Sequence, residues 1–114
     1  MHELSIALSL LDVAAEEAAR RGLARVTAVH LKLGLLAGVV PAALRSAFEL
    51  ARADHVLAAA ALVIEEVPIT IYCPSCAAER PVASFPELVC PDCGTPAARV
   101  VHGRELEIVA LECE

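Results

Sequence analysis

Two cysteine pairs, Cys73-Pro74-Ser75-Cys76 and Cys90-Pro91-Asp92-Cys93, constrain this chain more than any other feature. Each is a Cys-x-x-Cys, and 13 residues separate Cys76 from Cys90. That spacing lets two tight knuckles turn four thiolates toward one tetrahedral ion, and zinc is the ion that closed all-sulfur sites usually hold. Gly94, directly after the second pair, supplies the permissive backbone a knuckle needs where the chain turns beneath a metal. The alternatives are two thioredoxin-like redox pairs or a rubredoxin-like iron site. A redox pair should open a helix after a strand in a βαβ unit, whereas Pro74 and Pro91 place both pairs in short, loop-like segments. Structural zinc fits the pattern best.

The bulk numbers bound what else the chain can be. At 114 residues it suits one compact domain with a small metal-held appendage, and 58% apolar residues suffice for a core. The longest uncharged apolar run, 33–44, covers 12 residues and is broken by Gly34, Gly38 and Pro41, short of the roughly 18 that a membrane helix needs. Glu3 stands where a secretory signal would be basic, and Asp12 interrupts the apolar stretch behind it. Paired thiols in an untargeted chain point to a reducing cytoplasm, and there to metal rather than disulfides. The formal charge is −6, and four thiolates around a divalent cation take it near −8. A nucleic-acid binder needs a basic stripe and gains from aromatic stacking. With 9 basic against 15 acidic residues, and only Phe48, Tyr72 and Phe85 as aromatics, this chain argues against that class.

Hydrophobic periodicity organises the rest. A helix is expected over 3–21, with Leu4, Leu8, Leu11, Ala15 and Ala18 on its apolar face and Gly22 as its stop. Residues 25–35 alternate as a half-buried strand, Thr27, Val29, Leu31 and Leu33 on one side, Ala28, His30 and Lys32 on the other. Pro41 suits the first turn of a second helix, 41–53, whose apolar face is Leu44, Ala47, Phe48 and Ala51. A second strand follows over 61–70, and a last one over 104–111. The expected fold class is α+β: a small three-stranded sheet with two helices and an inserted four-cysteine zinc-ribbon module. Residues 1–71 and 99–114 form the main domain in this reading, and 72–98 the module.

The opening Met1-His2-Glu3 is the second unusual feature. Histidine at residue 2 can close two fused chelate rings through the α-amine of Met1, its own amide nitrogen and its imidazole. Three nitrogens near one plane suit Ni(II) or Cu(II), and Glu3 can add a further ligand. Methionine should be retained, since its removal normally requires a small second residue. Taken alone the signal is weak, because many chains carry an early histidine.

Context strengthens it. Met1-His2-Glu3-Leu4-Ser5, the strand from Arg25-Val26-Thr27 to Lys32-Leu33-Gly34, Ser46-Ala47-Phe48-Glu49 and the two knuckles occur in this order. Together they closely resemble the nickel metallochaperone family of nickel–iron hydrogenase maturation (HypA/HybF type), over essentially the whole chain. The resemblance implies a non-enzymatic, cytoplasmic protein whose cargo is nickel. His2 would be the essential nickel ligand, assisted by Glu3 and the backbone nitrogens of Met1 and His2. Cys73, Cys76, Cys90 and Cys93 would hold a structural zinc. The implied partners are a maturation GTPase and the hydrogenase large-subunit precursor, and some members also serve urease maturation. One departure matters: many members carry an acidic residue at the entrance to the second helix, but here Gly38-Val39-Val40-Pro41 has no carboxylate.

Other candidates have blander readings. His30 is expected on the outer strand face, His55 solvated in the turn after the second helix, and His102 behind the zinc segment, within possible reach of the knuckles. Cys113 reads as a small apolar filler or part of a frayed tail. Glu65, Glu66, Glu105 and Glu107 suit a solvated strand face. No Ser-His-Asp arrangement or phosphate-binding glycine loop is present. The rival functions are a zinc-ribbon adaptor without cargo and, less well supported, a small redox enzyme using the cysteine pairs. A monomer and a strand-exchanged homodimer are both compatible with the order of segments.

Overall fold

The computed structural model describes residues 3–82 and 88–114. Two helices and six strands follow in the order α1 (Glu3–Arg21), β1 (Val26–Gly34), α2 (Pro41–Arg52), β2 (Ala61–Val67), β3 (Ile69–Cys73), β4 (Ala78–Val82), β5 (Arg99–His102) and β6 (Leu106–Cys113). They make two three-stranded sheets, ordered β2-β1-β6 and β4-β3-β5. The α+β class, the two helices and the inserted cysteine module are as expected. The module, however, brings a sheet of its own. The chain divides into two units, one of 1–32, 39–65 and 107–114, the other of 33–38 and 66–106.

In the first unit α1 and α2 pack on each other. Glu3 in the first turn of α1 and Arg20 and Arg21 in its last complement the helix dipole, and Glu17 forms ion pairs with both arginines. The helix ends in a Schellman motif: Leu23 N–H donates to the Ala18 carbonyl at 2.9 Å, and Gly22 N–H to that of Ala19 at 3.2 Å. Gly22, at φ +67°, takes the left-handed position this requires. The buried face of α1 is Ala7, Leu10, Leu11, Ala14 and Ala18, which corrects the expected stripe. Leu4 and Leu8 are 46% and 44% exposed. The buried stripe sets three alanines beside Leu10 and Leu11, whereas three- and four-residue spacing suggests the neighbouring stripe of Leu4, Leu8, Leu11, Ala15 and Ala18.

Helix α2 starts at Pro41 as expected, with Leu44 and Phe48 buried. Its N-cap, Val40, is extended and offers no side-chain acceptor. The turn behind α2 is closed by Arg52, whose Nη1 donates to the Ala60 carbonyl at 2.6 Å. His55 is not solvated there. Its Nδ1 accepts from Leu57 N–H at 3.1 Å and its Nε2 lies 3.0 Å from Asp12 of α1. With Nδ1 accepting, Nε2 carries the proton toward the carboxylate.

Strand β1 lies between its two neighbours and buries Val26, Ala28, Val29, Leu31 and Leu33, while neither β2 nor β6 holds a fully buried residue. His30 of β1 pairs with Glu112 of β6 at 3.2 Å. Cys113 is exposed near the end of β6, and the residue after it is tied down. Glu114 N–H donates to the Arg25 carbonyl at 3.0 Å, and the two side chains pair at 3.1 Å.

The strand expected over 61–70 is in fact two. Pro68 has no N–H for a ladder, and the chain leaves one sheet at Val67 and enters the other at Ile69. In the second unit β3 pairs antiparallel with both neighbours, Ile71 opposite Arg80 and Val100. Its burial alternates strictly, Ile69, Ile71 and Cys73 inward. Ile69, Ile71 and Val82 form a small apolar cluster, flanked by Leu36, Leu88 and Ala97.

Candidate metal centre

The first knuckle is the turn between β3 and β4. Cys73 ends β3 opposite Ala78, and Cys76 N–H donates to Cys73 Sγ at 3.3 Å. The second knuckle is framed by a bridge between Val89 and Pro96. There Gly94 N–H donates to the Cys90 carbonyl at 2.9 Å, and Cys90 N–H to that of Thr95 at 2.8 Å. Both turns need a left-handed residue directly after the second cysteine. Gly94 fills that place at φ +75°, and Ala77 fills it at φ +51°, where a Cβ is strained.

All four sulfurs lie within 4.8 Å of one another. Cys73–Cys93, Cys76–Cys93 and Cys76–Cys90 are separated by 3.5, 3.7 and 4.0 Å. Four sulfurs at about 2.3 Å from one tetrahedral centre stand about 3.8 Å apart, so the donor set fits zinc without rearrangement. A disulfide needs about 2.05 Å, and all four cysteines are free. One shared cluster is thus formed rather than two separate redox pairs.

Within the cluster the surroundings push two thiols in opposite directions. Cys93 is lowered to about 6, first by its hydrogen bonds with the side chain and backbone of Thr95, and then through Cys73. Cys76 is pushed up to about 12, first by its hydrogen bond to Cys93 and then by that to Cys73. A bound cation would bring all four to the thiolate form. Cys73 and Cys90 are buried, Cys76 is half-buried and Cys93 is exposed.

Two contacts clasp the knuckles from outside. Thr95 Oγ1, 3.2 Å from Cys93 Sγ, also lies 3.0 Å from Ser75 Oγ in the first knuckle. Arg80 of β4 lies with Nε 2.8 Å from Asp92 Oδ2 in the second. Ser75 and Asp92 occupy the same place in the two Cys-x-x-Cys motifs, and each meets a residue that follows the other motif. Sequence reasoning missed Arg80 and Thr95. Only that matched third position in each motif could have signalled them.

The other sequence candidates separate from this centre. His102 Nδ1 pairs with Glu105 at 3.3 Å, in the turn between β5 and β6. Glu105 also accepts from Gly103 N–H at 2.8 Å. Burial alone would raise its pKa, but backbone hydrogen bonds at Glu105 and Gly103 and the neighbouring His102 hold it below the usual carboxylate range. Glu3 opens α1 and is half-buried. Met1 and His2 lie outside the described residues, as does Phe85.

A two-helix α+β protein with a four-sulfur module defines a class of small metal-handling proteins, and comparison with known proteins makes it specific. The family described as HypA: Hydrogenase/urease nickel incorporation, metallochaperone, matches residues 1–113. Hydrogenase maturation factor HypA of Chloroflexus aurantiacus (strain J-10-fl) is 50% identical over 112 residues, covering 98% of each chain. That of Roseiflexus sp. (strain RS-1) is 49% identical over 114 residues, covering 100% of this chain and 93% of its own. The chain belongs to the HypA family of nickel-incorporation metallochaperones. Its fold is that of the Ni metallochaperone HypA from Helicobacter pylori, with a TM-score of 0.70 at 24% identity over 99% of this chain and 97% of that one.

Proposed function

We propose that this protein binds Ni(II) at its N-terminus and delivers it to the large-subunit precursor of a nickel–iron hydrogenase, while Cys73, Cys76, Cys90 and Cys93 hold a structural zinc. The observation that carries the reading is the family match, which starts at residue 1 and so includes Met1-His2-Glu3. The nickel ligands are the imidazole of His2, the backbone nitrogens of Met1 and His2, and Glu3. The two sites differ in kind. Zinc, when bound, ties the two knuckles together, and a closed thiolate site of this sort contributes about 10 to 16 kcal/mol of apparent binding energy. Nickel is cargo, and a terminal site of few ligands suits release. Delivery is by protein–protein contact, with GTP hydrolysis supplied by a partner, in the cytoplasm. Among the described residues, no helix is long and apolar enough to cross a membrane.

Val39 and Val40 precede α2 without a carboxylate, so the nickel site is planar and nitrogen-rich rather than six-coordinate. X-ray absorption of the nickel-loaded protein should show about four nitrogen and oxygen neighbours, and an octahedral oxygen shell would sink this geometry. The functional test is Ni(II) titration calorimetry on zinc-loaded, untagged protein. One nickel per chain is expected, lost in His2→Ala and in a variant with one residue added before Met1, with zinc retained in both. Unchanged binding in both variants moves the site to another histidine. No binding in the parent leaves a zinc-ribbon adaptor as the better account.

A further inference from the structure

We propose that Arg80 is the counter-charge of the four-cysteine centre: its guanidinium offsets the net −2 of a divalent ion on four thiolates and thereby sets how tightly the ion is held. The inference rests on the zinc reading above and extends it to a residue outside the ligand set. Residues 66–106 contain only three Lys or Arg, at Arg80, Arg99 and Arg104. Arg99 is engaged elsewhere, its guanidinium 4.6 Å over the ring of Tyr72. Arg104 follows Gly103 in the turn that His102 and Glu105 close.

Arg80 alone of the three reaches the knuckles. Strand pairing places it opposite Ile71, two residues before Cys73 in β3, and its Nε stands 2.8 Å from Asp92, the residue before Cys93. Its Nη1 donates to the Glu79 carbonyl at 3.2 Å. The Nε–H is shut off from solvent and, despite the closeness of Asp92, makes no well-directed hydrogen bond among the described residues. A buried guanidinium N–H without an acceptor is costly. Once a divalent cation deprotonates them, the neighbouring cysteines would supply the missing negative charge.

The chemistry explains why a cation belongs at this point. Cys73 and Cys90 are 0% and 1% exposed, so half of the thiolate charge sits where water screens it poorly. A fixed guanidinium nearby stabilises the metal-bound dianion, and the same arginine also favours the deprotonated ligands that a metal requires. Asp92 positions the guanidinium but contributes charge of the wrong sign. The two residues therefore have opposite electrostatic effects on the centre, which separates a counter-charge from a mechanical clasp.

The test is competition of a chromogenic chelator against zinc-loaded protein for the parent, Arg80→Gln, Arg80→Lys and Asp92→Asn, with Co(II) charge-transfer bands reporting that four sulfurs still bind. Arg80→Gln should weaken zinc at least about tenfold, in the range of outer-shell substitutions. Arg80→Lys should recover most of that loss, and Asp92→Asn, whose amide oxygen can still accept from the guanidinium, should weaken zinc less than Arg80→Gln does. Parent-like affinity in Arg80→Gln overturns the proposal. So does an Asp92→Asn variant as weak as Arg80→Gln, which makes the pair a clasp. Should Arg80→Gln fail to fold, the contrast between Arg80→Lys and Asp92→Asn decides alone. A parent chain that binds no zinc defeats the underlying zinc reading itself, a result distinct from all of these.

Discussion

Gly34 admits no side chain. A Cβ there would stand 2.1 Å from the carbonyl carbon and oxygen of Gly103 and 2.6 Å from Arg104 N. Both neighbours are backbone that is already held, by Leu36 N–H to the Gly103 carbonyl at 2.6 Å and Gly34 N–H to that of Glu105 at 2.7 Å. Gly34→Ala should therefore destabilise by about 3 kcal/mol or more in chemical denaturation, the upper range of overpacking. Gly22 offers the contrast, with a left-handed φ of +67° and nothing within 4 Å. Gly22→Ala should cost only the conformational term, about 1 kcal/mol. Glu105 makes the adjoining turn acid-sensitive. Its folded-state pKa is depressed, so its contribution is present above the unfolded carboxylate value and is lost as pH falls through the folded one. Stability measured from about pH 5 downward should drop less steeply in Glu105→Gln than in the parent. Equal slopes would assign the acid sensitivity to other groups.

At the scale of elements, the helices show what a pattern can and cannot carry. Both were legible in place and length, since Gly22 and Pro41 are local stop and start signals. Which stripe of α1 turns inward was not, because the burial of Ala7 and Ala14 depends on what packs against the helix, which its own pattern does not fix. The Pro68 break was legible in principle, being a missing donor in an otherwise continuous β-branched run. Helix α2 carries a correctable defect, since Val40 leaves its first-turn N–H groups without a side-chain acceptor. Val40 is 58% exposed, so Val40→Ser sacrifices little burial. It should stabilise the protein by about 1 kcal/mol, read as a higher denaturation midpoint at unchanged slope. A midpoint at or below that of the parent would mean the cap does not form.

At the scale of the molecule, the two units differ in what holds them. The first buries side chains from both helices and from β1, whereas the apolar cluster of the second rests on Ile69, Ile71 and Val82. A core that small does not hold a sheet by itself, and a structural metal is the usual remedy. Stripping the metal of the proposed zinc site with a strong chelator at neutral pH should therefore abolish hydrogen-exchange protection in β3, β4 and β5 while α1 and α2 keep theirs. Protection that survives in all three strands would show the module folding without metal. The sequence by itself determined the four sulfur donors, the helix boundaries and the family, because each is written in residues a few positions apart or in a run along the chain. Tertiary structure alone decided the strand orders β2-β1-β6 and β4-β3-β5, the buried stripe of α1, and the placing of Arg80 beside Asp92 and of Thr95 beside Cys93. The physical reason is that these depend on which distant segments meet. Pairing β3 with β4 carries Arg80 back toward the knuckles, and no spacing along the chain encodes the charge that results.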